Sequence, residues 1–282
     1  MSALIASLIN GQASDTLSVL DRALHYGDGV FETLEYTDGQ IIFWTRHVQR
    51  LQHGCARIGL DPPDPAHLQR DVTQLLHTHQ QGVIKILITA GVGGRGYQRS
   101  HTHGQCIMLL FPSMPPTHPQ GIRLHTCETR LGRNTSLAGI KHLNRLEQVM
   151  AKRELPQDCH EGLMLDEQGN VIEGIMSNIF CLQGPLLRTP KLKHCGVSGI
   201  IRNAILALAP SLHLTTKEAV LKPSDLLASD EIFVCNSLIH IWPVRQWGHW
   251  HCQHHPITEQ LTRALKQMMT QHAMTLHKGS IC

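Results

Sequence analysis

The chain has 282 residues, 41% of them hydrophobic and 17% charged, with 25 basic against 22 acidic side chains for a formal charge of +3. At about 150 residues per domain this length suggests two globular domains, and the absence of any block of like charge excludes a nucleic-acid-binding surface. The N-terminal "MSALIASLIN" is too short and too poor in basic residues for a secretory leader, and no apolar run approaches the roughly 20 residues that span a bilayer, so a soluble cytoplasmic protein is expected. Nine cysteines without a C-x-x-C pair read as reduced thiols rather than disulfides.

In chain order, "VFETLEYTDGQIIFW" predicts a hairpin, because Asp38-Gly39 tolerates the positive φ angles of a tight turn. Thr45 then reads as the cap of a helix whose apolar positions are Val48, Leu51, Cys55 and Ile58, stopped by Gly59. A second helix, with Leu68, Val72, Leu75 and Leu76 on one face, precedes the strand "VIKILI". After it, Gly91, Gly93 and Gly96 fit the G-x-G-x-x-G template for dinucleotide phosphates. That template requires a helix opening at the glycines, whereas the next residues are polar and lead into another strand, "QCIMLLF". A hairpin connection is therefore expected in place of a dinucleotide site.

The proline-rich "FPSMPPTHPQG" favours an extended linker. It divides a small α/β domain, residues 1–111, from a larger domain, residues 122–282, with residues 112–121 between them. The second part contains a strand near "IRLHTCE", a helix from about His142 to Lys152 with Leu143, Leu146, Val149 and Met150 inward, and strands "GLMLD" and "VIEG". "NIFCL", the helix "SGIIRNAILALA", the strand "EIFVCNSL" and a helix from about Thr258 complete it. Interspersed strands and helices make the class α/β (α+β) in two parts. Twenty-one histidines include "HWHCQHH" at 249–255; its spacing matches no strong zinc pattern, so it reads as a polar surface loop and no metal is expected.

Several polar residues sit at element ends or among apolar neighbours. Lys141 lies near a predicted helix start, where the macrodipole disfavours a cation; it is either a solvated surface lysine or a desolvated amine able to condense with an aldehyde. Glu173 lies on a strand, either exposed at an edge or buried against a cationic ring nitrogen. Ser198 and Gly199 open a helix and offer backbone amides to an anion, while Asn236-Ser237 ends a strand and suits a turn or phosphate oxygens. Arg50, beside Leu51, suits a surface ion pair or a phosphate.

Taken in order, "LHYGDGVFETL", "RHVQRL", "GGRGY", "LGRNTSLAGIKHLNRLEQV", "VIEGIMSNIF", "CGVSGIIR" and "VCNSL" resemble the fold-type IV pyridoxal-phosphate enzymes, and within them most of all the aminodeoxychorismate lyases. The resemblance covers about Ile9 to Val244. It implies that Lys141 forms the covalent link to pyridoxal 5'-phosphate, that Arg50 binds its phosphate, and that Glu173 faces the pyridine nitrogen. It likewise implies phosphate contacts from the backbone of Ser198, Gly199 and Ile200 and closure of the phosphate cup by Asn236 and Ser237. The implied architecture is a two-domain homodimer with the cofactor in the cleft. The implied reaction converts 4-amino-4-deoxychorismate to 4-aminobenzoate and pyruvate in folate biosynthesis. A glycine loop bent toward the cleft would bring Arg95 to a substrate carboxylate. A fold-type IV aminotransferase for branched-chain or D-amino acids is the alternative.

Overall fold

The structure is a computed structural model that describes residues 3–113, 118 and 120–276. The chain divides into two compact units. One takes the N-terminal segment together with Ile140–Asn144 and the end of the chain from Met269; the other takes the stretch that ends at Gly139 and then Arg145–Met268. Part of the linker expected over 112–121, residues 114–117 and 119, lies outside the described residues.

The first unit is built on an antiparallel sheet. Its strands are β1 (Ala6–Ile9), β2 (Gln12–Ala13), β3 (Gly29–Thr37), β4 (Gln40–Ile41), β5 (Gly82–Thr89), β6 (Gln105–Phe111) and β16 (Met274–Thr275), in the order β16-β4-β3-β5-β6-β1-β2. The β3–β4 turn at Asp38-Gly39 has φ of 52° and 75°, the left-handed pair the hairpin requires. Period-2 alternation sends Val30, Leu34 and Tyr36 of β3 inward, where they meet Ile84 and Ile86 of β5 and Leu51 and Val72 from two helices. Those helices are α2 (Trp44–Arg57) and α3 (Pro65–Leu75); the short α1 (Arg22–Tyr26) precedes β3. Asp64 caps α3, accepting from Ala66 N, but Thr45 caps nothing: α2 starts at Trp44, and its N-cap is Phe43 in a left-handed conformation, φ 53°.

Residues 140–144 join this unit because the backbone demands it. Phe31 N donates to Lys141 O at 2.9 Å and Leu143 N to Gly29 O at 3.0 Å, so the segment runs beside β3 as an added, short extended piece. The end of the chain joins through β16, which pairs with β4. Pairings so distant in sequence carry no local signal.

The second unit holds a mixed sheet of β7 (Ile122–Thr126), β8 (Glu161–Leu165), β9 (Val171–Gly174), β10 (Asn178–Gln183), β11 (Leu186–Pro190), β12 (Thr215–Ala219), β13 (Glu231–Asn236), β14 (His240–Trp247) and β15 (Trp250–His251). Its order is β12-β11-β10-β13-β14-β7-β8-β9, with β15 beside β14. The pairs β11/β12, β14/β7 and β7/β8 are parallel. Helices α4 (Leu146–Glu154), α5 (Ile200–Leu208), α6 (Pro223–Leu227) and α7 (Pro256–Gln271) complete the set of α-helices among the described residues. The fold class is α/β (α+β), as the sequence predicts.

Two local expectations change. The helix expected from His142 begins only at Leu146, and its apolar residues Leu146, Val149 and Met150 are exposed; Ala151 is the buried one. "HWHCQHH" is not wholly a surface loop: Trp250 is buried and its indole donates to Ser229 O at 3.0 Å, and His255 is buried with Nδ1 3.5 Å from Cys252 Sγ.

Candidate active site

In the first unit, Lys141 lies on the extended segment beside β3, not at a helix start, so the macrodipole that disfavoured it is absent. Its backbone is fixed through Phe31, and its Nζ lies 4.3 Å from the centroid of the same residue's ring. The cation–π contact holds the half-buried ammonium against an apolar face. A lysine that is kept partly from water in this way is suited to react as an amine.

Arg50 projects from α2 onto a carboxylate that sequence reading passes over. Its Nε donates to Glu32 Oε1 and its Nη2 to Glu32 Oε2, both at 2.6 Å. His47, one turn earlier on α2, contacts Glu32 Oε2 through Nδ1 at 2.6 Å. Glu32 is 1% exposed and His47 2% exposed. Burial pushes the Glu32 carboxyl up, but the charges and hydrogen bonds of Arg50 and His47 outweigh it and hold the group at about 2. Burial likewise depresses His47 below its usual range despite the pull of Glu32. Arg50 supplies the permanent countercharge, and the His47 ring a further contact to the same carboxylate.

The glycine loop, residues 90–104, joins the antiparallel strands β5 and β6 with no helix, which rules out the dinucleotide geometry. Arg22 holds it in place: Nη1 donates to Gly96 O and Nη2 to Tyr97 O, each at 2.9 Å, while Nε donates to Asp28 Oδ2. Arg99 also pairs with Asp28 through both carboxylate oxygens. Burial raises the Asp28 pKa, but the bonds and charges of Arg99 and Arg22 prevail and lower it. Arg95 is exposed on this loop.

In the second unit, Glu173 is buried at 4% exposure although β9 ends the sheet, so strand position did not decide its exposure. Its Oε2 accepts from Val197 N at 2.8 Å. The surrounding turn, Gly196 to Ser198, is tied to Gly139 by two backbone bonds, Gly139 N to Gly196 O at 2.8 Å and Ser198 N to Gly139 O at 3.1 Å. Gly199 is the N-cap of α5 with no side-chain hydrogen bond to the helix amides, and Ile200 is its first residue. A Cβ on Gly199 would lie 2.0 Å from Asn178 Oδ1, so only glycine fits this approach. Ser198 Oγ accepts from Asn203 Nδ2 at 3.2 Å. A helix opening with an uncapped glycine and a nearby hydroxyl is suited to an anion.

Asn236 ends β13 and spends its side chain on the turn. Its Oδ1 accepts from Leu238 N at 2.8 Å and Ile239 N at 2.9 Å, and its Nδ2 donates to Met176 O at 3.0 Å. Ser237 comes next within that turn, partly exposed. Thus Lys141 and Arg50 belong to one unit, and Glu173, Ser198, Gly199, Ile200, Asn236 and Ser237 to the other. Glu32, His47 and Asn178 were missed. Glu32 was visible in principle, since it shares the inward row of Val30, Leu34 and Tyr36 and faces His47 and Arg50 at helical i,i+3 spacing.

Among the described residues no group of three or more histidine, cysteine, aspartate or glutamate side chains is arranged to hold a metal ion, and no helix is long and apolar enough to cross a membrane. The eight described cysteines are free.

Comparison with known proteins finds relatives over most of the chain. An aminodeoxychorismate lyase of Vibrio harveyi is 35% identical over 242 residues, 84% of this chain and 89% of the relative. The crystal structure of 4-amino-4-deoxychorismate lyase from Pseudomonas aeruginosa is 37% identical, covers 93% of this chain and 98% of its own, and superposes with a TM-score of 0.86. A branched-chain-amino-acid aminotransferase of Escherichia coli K12 is 28% identical, over 89% of this chain and 87% of its own. The amino-transferase class IV model matches residues 29–247, a span that runs from the first residue of β3 to the last of β14 and takes in every candidate residue, and this chain belongs to that family.

Proposed function

We propose that this chain is a pyridoxal 5'-phosphate-dependent aminodeoxychorismate lyase, which converts 4-amino-4-deoxychorismate to 4-aminobenzoate and pyruvate. The observation that carries the reading is the set of three groups such a cofactor needs: the half-buried amine of Lys141 against Phe31, the guanidinium of Arg50 and the buried carboxylate of Glu173. The donor set fits the cofactor. An aldehyde requires an amine, a cationic ring nitrogen an ionised carboxylate, and a phosphate the fork of an arginine and the amides of a helix start such as that at Gly199 and Ile200.

When bound, pyridoxal phosphate supplies an electron sink for the pair left by proton removal. Lys141 would hold the cofactor through its amine and, as a free amine, would take the proton from the substrate carbon that bears the amino group. The C–O bond to the enolpyruvyl group then breaks; the departing enol gains a proton to become pyruvate, and the ring left behind is aromatic. Glu173 keeps the ring nitrogen protonated, while Arg50, Ser198, Gly199, Ile200, Asn236 and Ser237 hold the phosphate. Arg95 meets a substrate carboxylate from the glycine loop.

The enzyme works as a homodimer in the cytoplasm. Support for the dimer comes from α4, whose Leu146, Val149 and Met150 are 70%, 56% and 49% exposed, an apolar surface that a second copy would cover.

The test supplies the protein with 4-amino-4-deoxychorismate, generated in place from chorismate and glutamine by a separate synthase, and measures both products. Equal yields of 4-aminobenzoate and pyruvate are expected, and Lys141→Ala removes both activity and the visible absorbance of bound cofactor. Bound cofactor with neither product would refute the lyase and direct attention to amino-acid transamination.

A further inference from the structure

We propose that Arg22 is the positioning residue for substrate recognition: it clasps the glycine loop in a preset shape, so that Arg95 meets the substrate carboxylate from a fixed backbone. The proposal rests on the assignment of Arg95 to that carboxylate.

Glycines at 91, 93, 94 and 96 surround Arg95, and glycine loses more conformational freedom on ordering than any other residue. A Cβ on Gly94 or Gly96 would meet nothing within 4 Å among the described residues, so packing around these two does not hold the loop. The hold comes from the segment that opens α1.

Arg22 grips the loop at three levels. Its backbone N donates to Gly91 O at 2.9 Å, and Gly93 N donates to Leu20 O at 3.1 Å, which ties the entry of α1 to the first half of the loop. Its stem lies against Gly93, where a Cβ would come 2.8 Å from Arg22 Cδ. Its guanidinium reaches the second half, with Nη1 donating to Gly96 O and Nη2 to Tyr97 O, each at 2.9 Å. The Tyr26 hydroxyl accepts from Gly96 N at 3.0 Å. That N–H shares one rigid peptide plane with the Arg95 carbonyl, so the backbone on leaving Arg95 is fixed as well.

The guanidinium is itself locked. Its Nε donates to Asp28 Oδ2 at 2.9 Å, its Cζ lies 4.8 Å from the centre of the Tyr26 ring, and the side chain is 5% exposed. The same Asp28 carboxylate holds Arg99, whose Nη1 donates to Ile58 O at 2.7 Å and anchors the later part of the loop to the end of α2. Arg22 and Arg99 thus commit their donors to Asp28 and to backbone oxygens, whereas Arg95 between them is exposed. A lysine at position 22 keeps the charge but lacks the planar fork that reaches two successive carbonyls and Asp28 together.

The experiment measures kcat and KM for 4-amino-4-deoxychorismate, and affinity for pyridoxal 5'-phosphate. It compares wild type, Arg22→Lys, Gly93→Ala, Arg95→Gln and the Arg22→Lys, Arg95→Gln double variant. Gly93→Ala displaces the Arg22 stem while every polar group of the clasp stays in place, and it carries the test where Arg22→Lys fails to fold. Each of these two variants should raise KM about tenfold, with kcat and cofactor affinity changed by less than about twofold. The double variant should have a KM within about twofold of Arg95→Gln alone, because a clasp that acts through Arg95 then has nothing to position. An unchanged KM, a parallel loss of cofactor affinity, or losses that multiply in the double variant would each overturn the positioning role. If Arg95→Gln itself leaves KM unchanged, the assignment of Arg95 has failed and the proposal falls with it. Wild type that binds cofactor but forms neither product refutes the lyase reading, and the clasp is then judged by hydrogen exchange alone.

In that second measurement the Gly93 and Gly96 N–H groups should exchange about tenfold more slowly in wild type than in Arg22→Lys before any substrate is added, since the shape is preset. Equal rates in the two proteins overturn the proposal.

Discussion

The Glu32–Arg50 pair makes a quantitative prediction about stability and pH. Glu32 is held at about 2 against an ordinary 4.5, which at 1.36 kcal/mol per pH unit corresponds to about 3 kcal/mol of folding stability. The direction of the shift sets the sign. A depressed carboxyl contributes its full stabilisation above pH 4.5 and loses it as pH falls from 4.5 through 2. His47, held below its usual 6.5, adds an earlier loss, because the unfolded chain takes up its proton first. Glu32→Gln removes the carboxylate component alone and leaves Arg50 partly buried without its countercharge, a change of the kind that costs about 3–5 kcal/mol. The assay is urea denaturation of the cofactor-free protein between pH 7 and pH 3. Unfolding is monitored by circular dichroism and by the fluorescence of Trp44, which is buried at the start of α2 in the same core. The variant should be less stable by about 3 kcal/mol at pH 7, and the gap should narrow steadily below pH 4.5. Two curves that run parallel from pH 7 to pH 3 would refute the reasoning, as would a variant within 0.5 kcal/mol of wild type at pH 7, roughly the spread of neutral surface changes.

Burial and close approach lead to two further expected outcomes. Gly199→Ala places a Cβ 2.0 Å from Asn178 Oδ1; pyridoxal 5'-phosphate affinity should fall by about tenfold or more as the start of α5 shifts, a strain of roughly 1–3 kcal/mol. Adding Asn178→Ala should recover part of that affinity, and no recovery would show that the contact is not the cause. The Cys55 thiol lies in the first unit's core, and burial pushes it up to about 12. It should resist alkylation at pH 8 in the folded protein and react on addition of urea, monitored by mass spectrometry of the peptides; rapid labelling of the native chain would contradict its burial.

Much of the fold is legible in local pattern. The Asp38-Gly39 hairpin, α3 with its apolar face and the strands β5, β6, β8, β9, β10 and β13 all declare themselves by periodicity or turn chemistry, because the forces that set them act within a few residues. The missing helix after Gly96 is equally local, and it is enough to dismiss a dinucleotide site. The order of motifs from "VFETL" to "VCNSL" carries the family, and with it a lysine, a glutamate and an arginine that composition alone would have left as ordinary surface residues.

What tertiary structure decides is the environment of those residues. Lys141 looks like a poorly placed helix-start cation until hydrogen bonds from Phe31 and to Gly29 pull residues 140–144 alongside β3, more than a hundred residues earlier in the chain. Glu173 reads as a strand-edge carboxylate; its burial and its bond to Val197 depend on a turn 24 residues away. Glu32 reads as one polar residue in an alternating strand, and only the packing of α2 on β3 converts it into the counterion of Arg50. Sequence by itself settles many of the elements and the family they compose, because propensity and spacing are short-range. Which side chains become buried and charged together rests on contacts between distant segments, and those exist only once the chain has folded.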